Sequence, residues 1–85
     1  MIEFETVMKG SNGQSVVVLQ SLFRALQYLG ADGKLIEIDG HAGNNTVYAI
    51  NGFQTIQRAC GYECGTDGHN DGHFGKACWK RLLGI

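Results

Sequence analysis

The pentapeptide Asp39-Gly40-His41-Ala42-Gly43 returns as Asp71-Gly72-His73-Phe74-Gly75, and each copy runs straight into a segment of helical periodicity. This repeat constrains the fold more than any other feature. A single loop-plus-helix unit is too small to bury its own apolar face, so two such units must share one core. Within each copy the first glycine admits a positive φ, the second permits close approach at the helix entrance, and the aspartate accepts turn amides before the helix begins. On these grounds the motif reads first as a turn that launches a helix.

Apolar spacing supplies the elements around the turns. Val16, Leu19, Leu22, Phe23, Leu26 and Leu29 recur at intervals of three and four and predict a helix over about 12–29. Ser11 and Gln14 fit a capping box at its start, and Gly30 stands where a left-handed residue would end it. Val47, Ala49, Ile50, Phe53, Ile56 and Cys60 predict a second helix over 44–60 with Gly61 as its stop. Gly52 inside that helix costs helical stability and suggests a close helix contact. A third, shorter helix, "KACWKRLL", offers Trp79, Leu82 and Leu83 to the same core, with Lys80 and Arg81 near its negative end. Leu35, Ile36 and Ile38 are expected to tuck an extended strip against the helices. The expected fold class is all-α, a small three-helix bundle with glycine-rich DGxxG turns and an internal pseudo-repeat, forming one domain over 1–85.

Composition narrows the function classes. A chain of 85 residues buries only roughly 60% of its unfolded surface, so the core must be thin. Seven basic against eight acidic residues leave no basic stripe to neutralise phosphates, which argues against nucleic acid. No apolar run approaches the roughly 18–20 residues of a membrane span. The opening "MIEFETVMKG" lacks the basic start and apolar middle of a signal peptide, so export is expected by another route, or the chain is a fragment of a longer protein.

Cys60, Cys64, His69, His73 and Cys78 spell C-x3-C-x4-H-x3-H-x4-C, which are zinc-ligand types. Their spacing matches no familiar finger, and Cys60 and Cys78 belong to different helices. Plain thiols are the leading expectation, beside a Cys60–Cys64 or Cys60–Cys78 disulfide and structural zinc. A catalytic Cys-His pair would lack a third orienting group, and no convergent nucleophile, base and stabiliser is evident. The chain is therefore expected to be no enzyme and to need no metal or cofactor. His41 and His73 read as solvated turn residues or as the frame of a polar groove. Phe53 and Trp79 read as core, while Tyr28, Tyr48 and Tyr62 each have the amphipathic ring that can stack on a sugar.

Three blocks in order carry a family resemblance: Gly10, Ser11, Gly13, Val16, Leu19, Gln20 and Leu22; Ile38, Asp39, Gly40, Gly43, Thr46, Ala49, Ile50, Phe53 and Gln54; Asp71, Gly72, Gly75, Trp79, Leu82 and Leu83. Together they resemble the peptidoglycan-binding domain, a three-helix module of bacterial and phage wall hydrolases, over nearly the whole chain. The chain departs from that pattern in a longer second helix, in a second turn that offers Asp67-Gly68 as well as Asp71-Gly72, and in Cys78, where threonine is common. Asp71 is aligned with the family turn because its offsets to Gly75 and Trp79 fit.

The resemblance implies noncatalytic binding of peptidoglycan that holds a linked or cognate wall hydrolase at its substrate, at the bacterial cell wall, with a phage or prophage source among those the family has. The first repeat offers the contacts: Asp39, Asn44, Asn45, Thr46 and Tyr48 sit at or beside a helix entrance whose free amides suit a stem-peptide carboxylate. Gln20 and Gln54 are either further ligand contacts or helix-to-loop hydrogen bonds. The alternative is a docking unit in a phage or secretion assembly without wall binding of its own.

Overall fold

The computed structural model describes residues 4–84. Helices α1 (Gln14–Ala25), α2 (Asn44–Ala59) and α3 (Lys76–Leu83) are joined by loops that meet only in isolated bridges, so the described chain is all-α. The bounds of α3 are those its sequence predicts, and α2 stops one residue short of expectation.

Both longer helices end in a Schellman motif, in which the last carbonyls are taken up by the amides that follow the helix. After α2 the left-handed position is Gly61, at φ 91°, and the Tyr62 amide donates to the Gln57 carbonyl at 2.8 Å. After α1 the same position is held by Gln27, at φ 63°, and the Tyr28 amide donates to the Phe23 carbonyl at 2.9 Å. Gly30 is thus not the stop of α1. It lacks a side chain for another reason: a Cβ there would stand 2.6 Å from Asn45 Cβ. Because α1 ends at Ala25, Leu26 and Leu29 continue the apolar spacing without being helical, and they lie 56% and 47% exposed. Ile56 and Cys60 of the second stripe are exposed as well.

The start of α1 also departs from expectation. Gly13 at φ 117° is its N-cap, and no side chain caps it. Ser11 Oγ instead accepts the Met8 amide at 3.0 Å, and Ser15 Oγ accepts the Glu5 amide at 3.1 Å. Both hydroxyls therefore fasten the N-terminal segment rather than the helix. Gly52 faces open space, with nothing within 4 Å of where its Cβ would stand, so it mediates no close helix contact.

That N-terminal segment is a clasp across both repeats. Val7 and Phe74 exchange both backbone hydrogen bonds, at 3.1 and 2.7 Å. Ala42 accepts from the Gly10 amide and donates to the Ser11 carbonyl, both at 2.8 Å. Trp79 Nε1 donates to the Glu5 carbonyl at 3.1 Å, and the Trp79 ring stacks on Phe4 with centroids 4.4 Å apart. The variable residue of each DGHxG copy, Ala42 or Phe74, is thus both paired to the clasp and fully buried. Phe74 meets Phe23 and Trp79 edge-on at 5.7 and 4.9 Å, which makes it the centre of the aromatic core. Burial of such a ring contributes about 2–3 kcal/mol. Ile36 alone of the extended strip is buried, while Leu35 and Ile38 are exposed.

Candidate ligand groove at the entrance of α2

The two DGH turns are each held by a buried glutamine from the preceding helix. Gln20 Nε2 donates to Asp39 Oδ1 at 2.9 Å, to the His41 carbonyl at 2.9 Å and to Thr46 Oγ1 at 3.1 Å. Its Oε1 accepts the amides of Asp39 and Gly40 at 3.0 and 2.9 Å. Gln54 repeats the pattern on Asp71 Oδ1, the His73 carbonyl and Cys78 Sγ, and accepts the amides of Asp71 and Gly72. Gly40 and Gly72 take φ 75° and 70°, and the two N-caps Gly43 and Gly75 agree within two degrees in φ and ψ. Of the two openings left by sequence, Gln20 and Gln54 therefore take the helix-to-loop role, with their amide atoms engaged inside the fold. Neither N-cap glycine is required by close approach, since a Cβ would meet only His41 or Thr6 atoms at ordinary distances of 3.8 and 3.7 Å.

The turns differ in what surrounds them. In the second, Thr66 and His69 exchange backbone hydrogen bonds at 2.9 Å around Asp67 and Gly68, both at positive φ, which is a two-residue type I′ hairpin. Asp71 is therefore the counterpart of Asp39, and Asp67 belongs to a separate hairpin. The hairpin segment folds its polar groups onto the turn: Thr66 Oγ1 donates to Asp71 Oδ2 at 2.6 Å, and Asn70 Nδ2 donates to Thr55 Oγ1 at 2.7 Å. Arg58 joins Glu63, at 3.1 Å, to Asn70 Oδ1, at 3.0 Å.

The first turn is left open. Off the end of α2 lies a groove of about 340 Å³, floored by Gln20 and Thr46 and walled by Asp39, His41, Asn44 and Asn45 on one side and Asp32, Lys34, Leu35 and Glu37 on the other. No side chain caps α2 at Gly43, so the first-turn amides point toward this end without a protein acceptor. The macrodipole adds partial positive charge there. Asn45 Nδ2 reaches Asp32 Oδ2 at 3.4 Å, and His41 Nδ1 donates to Asn12 Oδ1 at 2.7 Å, which orients the imidazole. The His41 backbone amide and then the Gln20 amide hold the Asp39 carboxyl below its ordinary value, so it is a carboxylate at neutral pH. The groove can thus accept carboxylate oxygens at the helix end and ammonium or hydroxyl donors at Asp32, Glu37 and Asp39.

Asp39, Asn44, Asn45, Thr46 and Gln20 come together as the sequence suggests, although Thr46 and Gln20 are buried at the floor. Tyr48 does not line the groove: it is 57% exposed one turn along the flank of α2. Gln54 belongs to the other turn. Asp32, Lys34, Leu35 and Glu37 are missed by sequence reading because they reach the groove from the interhelical loop; the short run Asp32-Gly33-Lys34 is their only local signal.

Cys60, Cys64, His69, His73 and Cys78 do not converge, and no group of three or more possible metal ligands is assembled among the described residues. Cys60 is exposed, whereas Cys64 and Cys78 are buried as free thiols.

The fold and groove define a small helical module with two glutamine-stapled turns, one sealed and one open. Among solved structures, the crystal structure of the SleB N-terminal domain is similar to it, with a TM-score of 0.66 and 22% identity over 99% of this chain and 96% of that chain. The three-helix fold is therefore one already seen in a solved domain of nearly the same length. No protein-family model matches the chain, and no curated protein matches its sequence.

Proposed function

We propose that this protein is a noncatalytic module that binds bacterial peptidoglycan and keeps a linked or cognate wall hydrolase at its substrate. The observation that carries this reading is the open groove at the α2 entrance, where uncapped amides, asparagines and carboxylates stand side by side. A stem peptide carries carboxylates and amines within a few bonds, and such a ligand uses both halves of the groove. The three sequence blocks of the resemblance add support, because they include both staple glutamines and both turn aspartates. So does the likeness in fold to the SleB N-terminal domain. The function needs no chemistry of its own: a weak module on a polymer with many sites raises the local concentration of whatever is joined to it.

The test is co-sedimentation of the purified protein with insoluble peptidoglycan, with and without teichoic acids. Pelleting without release of reducing sugars or free amines is expected. Binding should weaken but persist when salt is raised, because the hydrogen bonds remain while the contacts of ligand ammonium groups with Asp32, Glu37 and Asp39 are screened. A second reading, docking in a phage or secretion assembly, is favoured by Leu26, Leu29, Leu35 and Ile38, each more than 40% exposed near one loop. Failure to pellet at any salt would decide for it. Proposed location at the cell wall follows the first reading, and no described helix is long and apolar enough to cross a membrane.

A further inference from the structure

We propose that Cys64 and Cys78 are a disulfide-forming pair that locks the second turn to α3, with Cys60 left out of the bridge. The pairing differs from both that the cysteine spacing suggests. Cys60 is the C-cap of α2 and is exposed, while Cys64 and Cys78 are both buried, on the turn and on the first turn of α3.

Two contacts bring the pair together. Cys78 Sγ donates to the Cys64 carbonyl at 3.1 Å, and the same carbonyl accepts Gln54 Nε2 at 3.3 Å. Burial, followed by the Cys78 side chain, pushes the Cys64 thiol up to about 12. With the buried Cys78 sulfur already seated on the Cys64 backbone and the Cys64 side chain buried as well, a bridge needs only local rearrangement. Cys78 takes the place that Thr46 has in the first repeat, under the amide of the staple glutamine. A disulfide there gives up the Cys78 S–H donor but leaves sulfur as a weak acceptor for Gln54. It closes a loop of about fifteen residues, which includes the Asp67-Gly68 hairpin.

Oxidation proceeds by exchange with an external disulfide such as oxidised glutathione. The Cys64 thiolate attacks one glutathione sulfur, and the first glutathione leaves as a thiolate that takes up a proton. The Cys78 thiolate then attacks Cys64 Sγ of the mixed disulfide and releases the second glutathione. Two protein thiols are oxidised, one external disulfide is reduced, and both protons end on glutathione. High thiol basicity and burial make the first step slow, so the exposed Cys60 reacts faster with alkylating agents while the buried pair holds the stable bridge.

The experiment equilibrates the whole chain and its Cys60→Ser variant in oxidised and reduced glutathione, quenches with acid, alkylates, and maps linkages in a nonreducing digest. Cys60→Ser should lose both its thiols, and both proteins should yield a Cys64–Cys78 linked peptide and a Tm higher by roughly 10 °C. The Cys78→Thr variant, which copies the first repeat, should fold and form no disulfide within the chain, its remaining cysteines carrying at most glutathione. A bridge that includes Cys60, retention of both thiols in Cys60→Ser under excess oxidised glutathione, or an oxidised form that melts no higher would overturn the pairing.

Discussion

Gln20 and Asp39 hold each other twice: the Gln20 side-chain amide donates to the Asp39 carboxylate at 2.9 Å, and its oxygen accepts the Asp39 backbone amide at 3.0 Å. The same exchange joins Gln54 and Asp71 at 2.8 and 3.1 Å. A glutamine is suited to this because its side-chain amide presents a donor and an acceptor on one planar, uncharged group. Its longer stem lets it reach the turn from a buried helical position.

Loss of that group should leave several polar atoms buried without partners. Gln20→Leu is expected to cost about 2–4 kcal/mol, more than a typical surface change, because the Gly40 amide and the His41 carbonyl lose their acceptor and donor together. Urea denaturation checks it. Unfolding at the wild-type midpoint would mean that water replaces the staple.

Gly40→Val and Gly43→Ala should separate the two glycines of the motif. At Gly40 a Cβ would require φ 75° and meet Val17 Cγ2 at 3.2 Å, so valine should cost more than ~1 kcal/mol. At Gly43, with φ -91°, alanine should change stability by less than ~0.5 kcal/mol. Thermal melts of the two variants measure the contrast, and equal losses would contradict it.

Trp79→Ala removes a ring that is 3% exposed, stacked on Phe4 and bonded to the Glu5 carbonyl, and should cost roughly 3–5 kcal/mol. Trp79→Phe should cost less, with the loss concentrated in the clasp. Hydrogen exchange at the Val7 and Phe74 amides would reveal that: protection there should fall before protection in α2 does.

Acid should loosen the turns, and only at low pH. Asp39 is held below its ordinary value of 3.8, by the His41 amide first, so the native state prefers the carboxylate. Asp71 is also lowered: burial, its largest influence, pushes upward, but Thr66, Gln54 and the His73 amide together outweigh it. A lowered native pKa gives stability that is complete above the unfolded value and lost as pH falls through the native one. Tm should therefore be flat from neutral pH to about 5 and decline below about 4. Asp39→Asn should flatten part of that decline, and a decline beginning near pH 6 would contradict the assignment to these carboxylates.

Within the groove, Asn44→Ala and Asn45→Ala together should weaken sedimentation with peptidoglycan, while Tyr48→Ala should leave it unchanged, since Tyr48 lies outside the groove. Circular dichroism must show both variants folded. Binding lost with Tyr48→Ala alone would move the ligand to the flank of α2.

Apolar spacing and glycine stops alone located α2 and α3 within a residue, because a periodic stripe that ends at Gly61 or Leu83 has no competing continuation. The repeat of DGHxG likewise implied two equivalent turns, and positive φ at Gly40 and Gly72 follows from local sterics. Tertiary structure decided where α1 ends. Leu26 and Leu29 keep the helical period, yet Gln27 takes a left-handed conformation so that Tyr28 can pack on Phe23, with centroids 4.8 Å apart. It also decided that Ala42 and Phe74 are core, because their burial depends on the N-terminal clasp, a segment distant in sequence from both. The groove shows the same division. Its α2 wall was legible as a helix entrance, whereas Asp32, Lys34 and Glu37 reach it only because the interhelical loop folds back across that entrance, and Tyr48 leaves it because the opening lies off the helix end rather than along its side.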